Sequence, residues 1–234
     1  MTVLDVGLQP DIQSPCRAEA RPTTLALKMY LPAHFREDDP ARIAELVDFH
    51  GFATLVSQVA GSPIATHLPL LFDPDAGKKG TLYGHFARGN PQGLEEGVDM
   101  LAIFHGPHAF VSPSWYATPG VPTWNYAVVH VRGKLRLIHD PAETLALLEA
   151  LTEKYDPAVA DPQGPVMAED AKRGMLKGVT AFAIDVNAIN AKFKLSQNRS
   201  QEDRQRIIAR LGQSDDPAAH ALSGLMLEDL VRDR

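Results

Sequence analysis

Residues 103–136 read IFHGPHAFVSPSWYATPGVPTWNYAVVHVRGKLR. Residues 100–104 and 109–111 are apolar enough for two short strands, parted by Gly106-Pro107. Residues 124–138 are long enough for a bent strand, with Gly133 at an expected bulge. Between these β-like runs lies a Pro-rich loop rather than a helix. Both tryptophans of the chain, Trp115 and Trp124, fall here, beside Tyr116 and Tyr126. A loop that only connects strands rarely gathers so many aromatic and hydrogen-bonding groups. The stretch reads as the wall of a pocket for a flat, anionic cofactor.

The pattern continues outward on both sides. Residues 52–59 and 64–72 are apolar runs separated by the hairpin-like break Ala60-Gly61-Ser62-Pro63. After a polar turn at 73–80, residues 81–87 alternate Leu82, Gly84 and Phe86 against Tyr83, His85 and Ala87, the period of a half-buried strand. Strands joined by short turns, with no helix between them, argue for an antiparallel barrel over a parallel α/β sheet.

Helices are signalled around this β-rich middle. Asp39-Pro40 is an N-cap followed by Pro at the first helical position; Ile43, Leu46 and Val47 form a stripe and Gly51 a stop. Asp140, Pro141 and Glu143 open a second helix with Leu145, Leu148 and Leu151 toward the core. A Pro-rich loop at 156–166, a short helix at 169–176 and a last strong strand at 180–186 follow. Ser200 caps a helix carrying Ile207, Ile208 and Leu211 and stopped by Gly212; Asp216-Pro217 opens a final one with Leu222, Leu225, Met226 and Leu230 on one side. Residues 1–28 lack such patterning and read as a mobile N-terminal extension, with Met29 as an alternative start. The expected organisation is one mainly β domain with helices at 29–234.

The 234 residues are 44% hydrophobic and 22% charged, ordinary for a globular chain with a sizeable core. A net charge of −6 argues against a large nonspecific nucleic-acid surface, which needs a basic footprint. One cysteine, Cys16, rules out an intramolecular disulfide and a Cys-rich zinc site, and fits a reducing cytoplasm. No apolar run reaches the roughly 20 residues of a membrane span. No compact apolar segment follows a basic start, which argues against a signal peptide. Nine histidines bring no His-x-x-x-His pair, so no metal site is expected. A nucleophile elbow, a P-loop and a Gly-x-Gly-x-x-Gly turn are all missing from the sequence. No side chain is singled out as catalytic.

Three segments are competent to hold an anion. Arg88 and Asn90 stand just past a strand end, where a guanidinium can fork a phosphate; the alternative is a surface arginine in a turn. Ser112 and Ser114 put two hydroxyls beside turn amides, an anion-receiving concavity or a simple Ser-Pro turn. The run Lys192 to Arg199, with Lys192, Lys194, Gln197, Asn198 and Arg199, precedes a helix N-terminus, which favours anions; the alternative is a solvated basic loop. Trp115, Tyr116 and Trp124 offer faces for a planar ring or for the core, and Asn125 offers a bond to a ring edge.

Five motifs in order carry a resemblance: Met29-Tyr30-Leu31-Pro32-Ala33-His34-Phe35, the run Gly84 to Pro91, Ser112-Pro113-Ser114-Trp115-Tyr116, Val121-Pro122-Thr123-Trp124-Asn125-Tyr126, and the run Lys192 to Arg199. Over about residues 29–211 the chain resembles the PaiB-type FMN-binding negative transcriptional regulators of bacteria. The resemblance implies a split β-barrel of the flavin-reductase and pyridoxamine-phosphate-oxidase kind, with C-terminal helices. It implies FMN as cofactor and a homodimer with flavin sites at its interface, where the 194–199 segment reaches the partner's site. The family starts at the Met-Tyr-Leu-Pro motif, so the 28 residues before it here are a departure.

Two other functions compete with flavin binding. A DNA-binding repressor would use Arg204, Arg206 and Arg210, but these also face Glu202 and Asp203 as ion-pair partners, and the acidic link Asp215-Asp216 spoils a helix-turn-helix. A haem-binding barrel would use a histidine such as His67 or His85 as axial ligand.

Overall fold

A computed structural model describes residues 29–160 and 169–232. The segment 1–28, expected to be an extension, and most of the 156–166 loop lie outside the described residues. Eight strands form one antiparallel sheet: β1 (Arg36–Glu37), β2 (Phe52–Val59), β3 (Ser62–Pro69), β4 (Leu71–Asp73), β5 (Thr81–Ala87), β6 (Asp99–Val111), β7 (Thr123–Ile138) and β8 (Val179–Lys194). Their order is β3-β2-β6-β7-β8-β5-β4, with β1 also on β8. The split arises because the long β8 changes partner: residues 179–185 pair with β5, while Ala191 and Lys192 pair with β1. This is the split β-barrel expected, with helices at the C-terminus.

Local sequence explains the joints. Ala60 and Gly61 both take positive φ, 51° and 80°, and close a two-residue hairpin in which Val59 faces Ser62. The expected single run 64–72 is two strands. Pro69 has no N–H to extend the ladder, and the buried Leu70 donates its N–H to the Gly51 carbonyl at 2.9 Å before β4 joins β5. The two short strands expected at 100–104 and 109–111 are one strand, β6, with a register shift between His105 and His108. On β7 the irregularity falls at Gly133 as expected, yet the extra residue is Asn187 of β8; a Cβ on Gly133 would lie 2.5 Å from the Asp185 carbonyl oxygen. β8 runs well past the expected end at 186, so Lys192 and Lys194 lie on a strand rather than in a loop.

Alternation decides the core. On β7 Ala127, Val129 and Val131 are buried, whereas Tyr126, Val128 and His130 lie half-buried on the opposite, outward face. Inside, Phe86 and Phe182 stack at 4.4 Å. α1 (Pro40–Phe49), α4 (Gln201–Leu211) and α5 (Pro217–Arg232) pack Leu46, Ile207, Leu222 and Met226 onto this core. α2 (Pro141–Tyr155) covers a smaller cluster of Ile138, Ala181 and Ala183; its buried stripe is Thr144, Leu147, Leu148 and Leu151, and Leu145 sits at its margin. α3 (Glu169–Gly178) leads into β8. Asp39, Asp140 and Ser200 each accept a backbone N–H as N-caps, each contributing about 1 kcal/mol. No helix among the described residues is long and apolar enough to cross a membrane.

Candidate functional site

The candidate residues fall at two ends of β8. Ala87, just before Arg88, pairs with Val179 at its start, and Tyr126 pairs with Lys194 at its end. Fifteen residues at about 3.3 Å each separate these points along the strand. Arg88 and Lys194 of one chain therefore do not share a small ligand.

At the first end the polar groups are engaged with protein. Arg88 Nε donates to the Lys177 carbonyl at 2.5 Å, and Nη2 to the Leu176 and Val179 carbonyls at 3.0 and 2.7 Å. The guanidinium thus caps the C-terminal turn of α3. Asn90 accepts the Gln92 N–H and donates to Thr66 Oγ1 at 2.9 Å, joining β3 to the turn after β5.

The second end gathers cations among aromatic rings. Lys192 and Lys194 share the outward face of β8. The Lys192 ammonium lies 5.3 Å from the Tyr30 ring and 5.5 Å from the Tyr126 ring, and donates to the Tyr30 carbonyl. The Lys194 ammonium donates to Thr123 Oγ1 and, at 2.5 Å, to the Trp124 carbonyl. Arg199 stacks over the Tyr116 ring at 4.4 Å. No carboxylate pairs with Lys192, Lys194 or Arg199 among the described residues. Burial, then Lys192 and Arg199 beside it, hold the Lys194 ammonium below the ordinary lysine range. Three cations gathered without a carboxylate give this end of β8 the chemistry to receive an anion.

The hydroxyls stand at the same end. Val111 pairs with Thr123, so the turn that follows β6 starts beside Lys194's partner. There Ser112 Oγ accepts the Ser114 N–H and lies 2.8 Å from Ser114 Oγ. The tryptophans divide: Trp115 packs partly buried on the core, while Trp124 is 54% exposed against Phe110 and His108. Tyr116 is buried, with its hydroxyl lacking a partner among the described residues.

Asn125 is placed where no ring edge on the Trp124 face reaches it. Alternation turns it inward, fully buried, where Nδ2 donates to Ser196 Oγ at 2.8 Å. Ser196 holds a left-handed backbone, φ 64°, which is rare for a residue with a side chain. Gln197 closes the same turn, accepting the Leu195 N–H and donating to the Phe193 carbonyl. Asn125 and Gln197 therefore shape the turn that delivers Arg199 to Tyr116. The sequence motifs contain Lys192, Lys194 and Arg199 as well as Thr123 and Tyr30, but they do not show that Thr123 and Tyr30 are the groups that receive the two lysine ammoniums.

The arginines weighed for DNA are largely occupied. Arg204 is buried and bonds Asp229 at 2.9 Å, and Arg206 pairs with Glu202 at 2.8 Å. Of the histidines weighed for haem, His67 is exposed on β3, and His85 on β5 has a buried Nδ1 without a partner among the described residues.

Residues 29–188 match the family described as "Putative FMN-binding domain". Over 213 residues the chain is 39% identical to "Protease synthase and sporulation protein PAI 2" of Bacillus subtilis, spanning 87% of this chain and 99% of that protein. The fold is shared with the FAD and heme binding protein from Mycobacterium smegmatis, with TM-score 0.54 and 19% identity over 72% of this chain and 78% of that one. It is shared also with a flavocytochrome from Azotobacter vinelandii, with TM-score 0.53 and 15% identity over 73% and 75%.

Proposed function

The chain belongs to the FMN-binding-domain family, PaiB type, and on that premise we propose that it is an FMN-binding flavoprotein acting as a homodimer. The observation that carries this reading is the cation cluster of Lys192, Lys194 and Arg199, which has aromatic neighbours and no carboxylate partner among the described residues. Such a cluster fits the phosphate of FMN, and the paired Ser112 and Ser114 hydroxyls at the same end of β8 fit further acceptor oxygens. A bound flavin would supply the redox chemistry. The chain's own part is to hold the phosphate through Lys194, Lys192 and Arg199, and to shield the ring with Trp124. Asn125 and Gln197 keep the Arg199 turn in place.

The distance along β8 supports the homodimer part of this reading. A second protomer can bring its Arg88–Asn90 end against the Lys194 end of the first, so that both motif groups serve one flavin. Arg88 then contributes Nη1, since Nε and Nη2 hold α3.

The test is an absorbance spectrum and FMN titration of purified protein, with mass measured in solution. Saturation at one FMN per chain, in a dimer, is expected. Lys194→Met is expected to weaken binding roughly 10- to 100-fold, the worth of a charge-assisted hydrogen bond. A protein that ignores FMN at millimolar concentration rules the reading out.

A further inference from the structure

The bulge in β6 changes which side chains of the strand face outward. His105 and His108 are three residues apart, and in a regular strand an odd separation would send them to opposite faces. The register shift between them turns both outward, with Phe110, while Ala109 and Val111 stay buried. The sequence builds the bulge with Gly106-Pro107: proline has no ladder N–H, and a Cβ at Gly106 would come within 3.0 Å of the Ala127 carbonyl oxygen.

The bulge opens a hollow of about 360 Å³ on the outward sheet face, walled by His105, His108, Trp124 and Tyr126. That is near the lower end of the roughly 300–1,000 Å³ of small-molecule sites, room for one fused ring system. Its floor adjoins the cation cluster directly. Trp124 supplies the carbonyl that Lys194 bonds, and Tyr126 supplies the ring beside Lys192. His108 lies against Trp124 at 6.2 Å between ring centroids. Its Nδ1 is 3.3 Å from the Gly106 carbonyl, an oxygen that only accepts, so Nδ1 carries the proton and Nε2 remains free. His105 differs: its Nε2 meets Thr54 Oγ1 at 3.4 Å.

We infer that this hollow seats the planar ring of the ligand whose phosphate the cation cluster holds, and that His108 Nε2 is its edge-bonding group. The inference rests on the flavin reading and deepens it. It moves the edge contact from Asn125, which is turned into the core, to an imidazole on the ligand's own side. His108 is a ring-binding residue here, and the imidazole is tied at one nitrogen so that the other is presented at a fixed position.

Lumiflavin, which has the ring but no phosphate, separates the two halves of the site. Wild-type protein should bind both FMN and lumiflavin, with FMN tighter. His108→Ala should lower affinity for both by roughly tenfold and alter the absorption bands of bound flavin. Lys194→Met should lower FMN affinity alone and leave lumiflavin unchanged. His108 is exposed, so the melting temperature of its variant should match wild type. FMN bound with unaltered affinity and spectrum in His108→Ala would overturn the ring seat while the flavin reading stands. Wild-type protein that binds FMN but not lumiflavin would overturn the ring seat in the same way. No binding of either ligand to wild type overturns both.

Discussion

Gln92 is 2% exposed, and its amide ties the turn after β5 to both β2 and β3. Nε2 donates one N–H to Ser57 Oγ at 2.9 Å and shares the other between the Ile64 and Leu55 carbonyls at 3.2 and 3.3 Å, while Oε1 accepts from Thr66. Gln92→Ala would strand these groups and leave a cavity, costing about 2–4 kcal/mol. A domain of this size should lose roughly 2–4 °C of melting temperature per kcal/mol, read by calorimetry. Lys194 yields a prediction in the alkaline range. Burial and its cationic neighbours lower its pKa, and an anion needs the charged form. FMN affinity should therefore fall as pH rises, earlier than for an ordinary lysine. Lys194→Arg should flatten that fall in a titration series, because a guanidinium keeps its charge. The sequence already points to Lys194, whereas residue type alone does not disclose the role of Gln92, because nothing in the sequence shows which strands surround it. Asn125 reads as a ring contact, although its neighbours Trp124 and Tyr126 on an alternating strand already imply that it faces the other way.

Among the elements, α3 shows how a motif reading changes once its surroundings are known. Arg88 reads from sequence as a phosphate fork, and the fold directs two of its nitrogens to the last carbonyls of α3. Arg88→Ala should raise amide hydrogen exchange across 169–178 by roughly tenfold or more, with less effect on the strands. Its FMN affinity should drop less than that of Lys194→Met. Exchange unchanged in α3 would mean that the cap contributes nothing to its stability. The strand β8 makes the same point. Its second half contains Asn187 and Asn190, poor strand formers, so propensity ends it early. Pairing with β7 on one side and β1 on the other extends it to Lys194. The helices need no such help, since Asp39-Pro40, Asp140-Pro141 and Ser200 announce themselves within a few residues.

At the scale of the whole molecule, acid should lower stability through three half-buried histidines. Burial lowers the pKa of His50 and His85, and of His130 together with Arg132 and His105 nearby. The unfolded chain then takes up protons first, near the ordinary histidine value of about 6.5, so stability rises with pH across that window. Thermal melts should be flat above that pH and fall below it, and His130→Gln should shallow the decline. A melt independent of pH between about 8 and 5 would refute this. The C-terminal helices are tied in by a second buried set, in which Asp229 bonds Arg204 at 2.9 Å and Arg42 at 3.4 Å across α5, α4 and α1. Such long-range ties mark the boundary of what the sequence by itself determined. Period-two alternation, turn residues and helix caps set the antiparallel β class, the hairpins and the helix starts, because each depends on neighbours within a few positions. Motif order set the family. That His105 and His108 emerge together, and that Arg88 and Lys194 lie at opposite ends of β8, were decided only by tertiary structure. Those facts depend on pairing between segments far apart in the chain, which neighbours within a few positions do not specify.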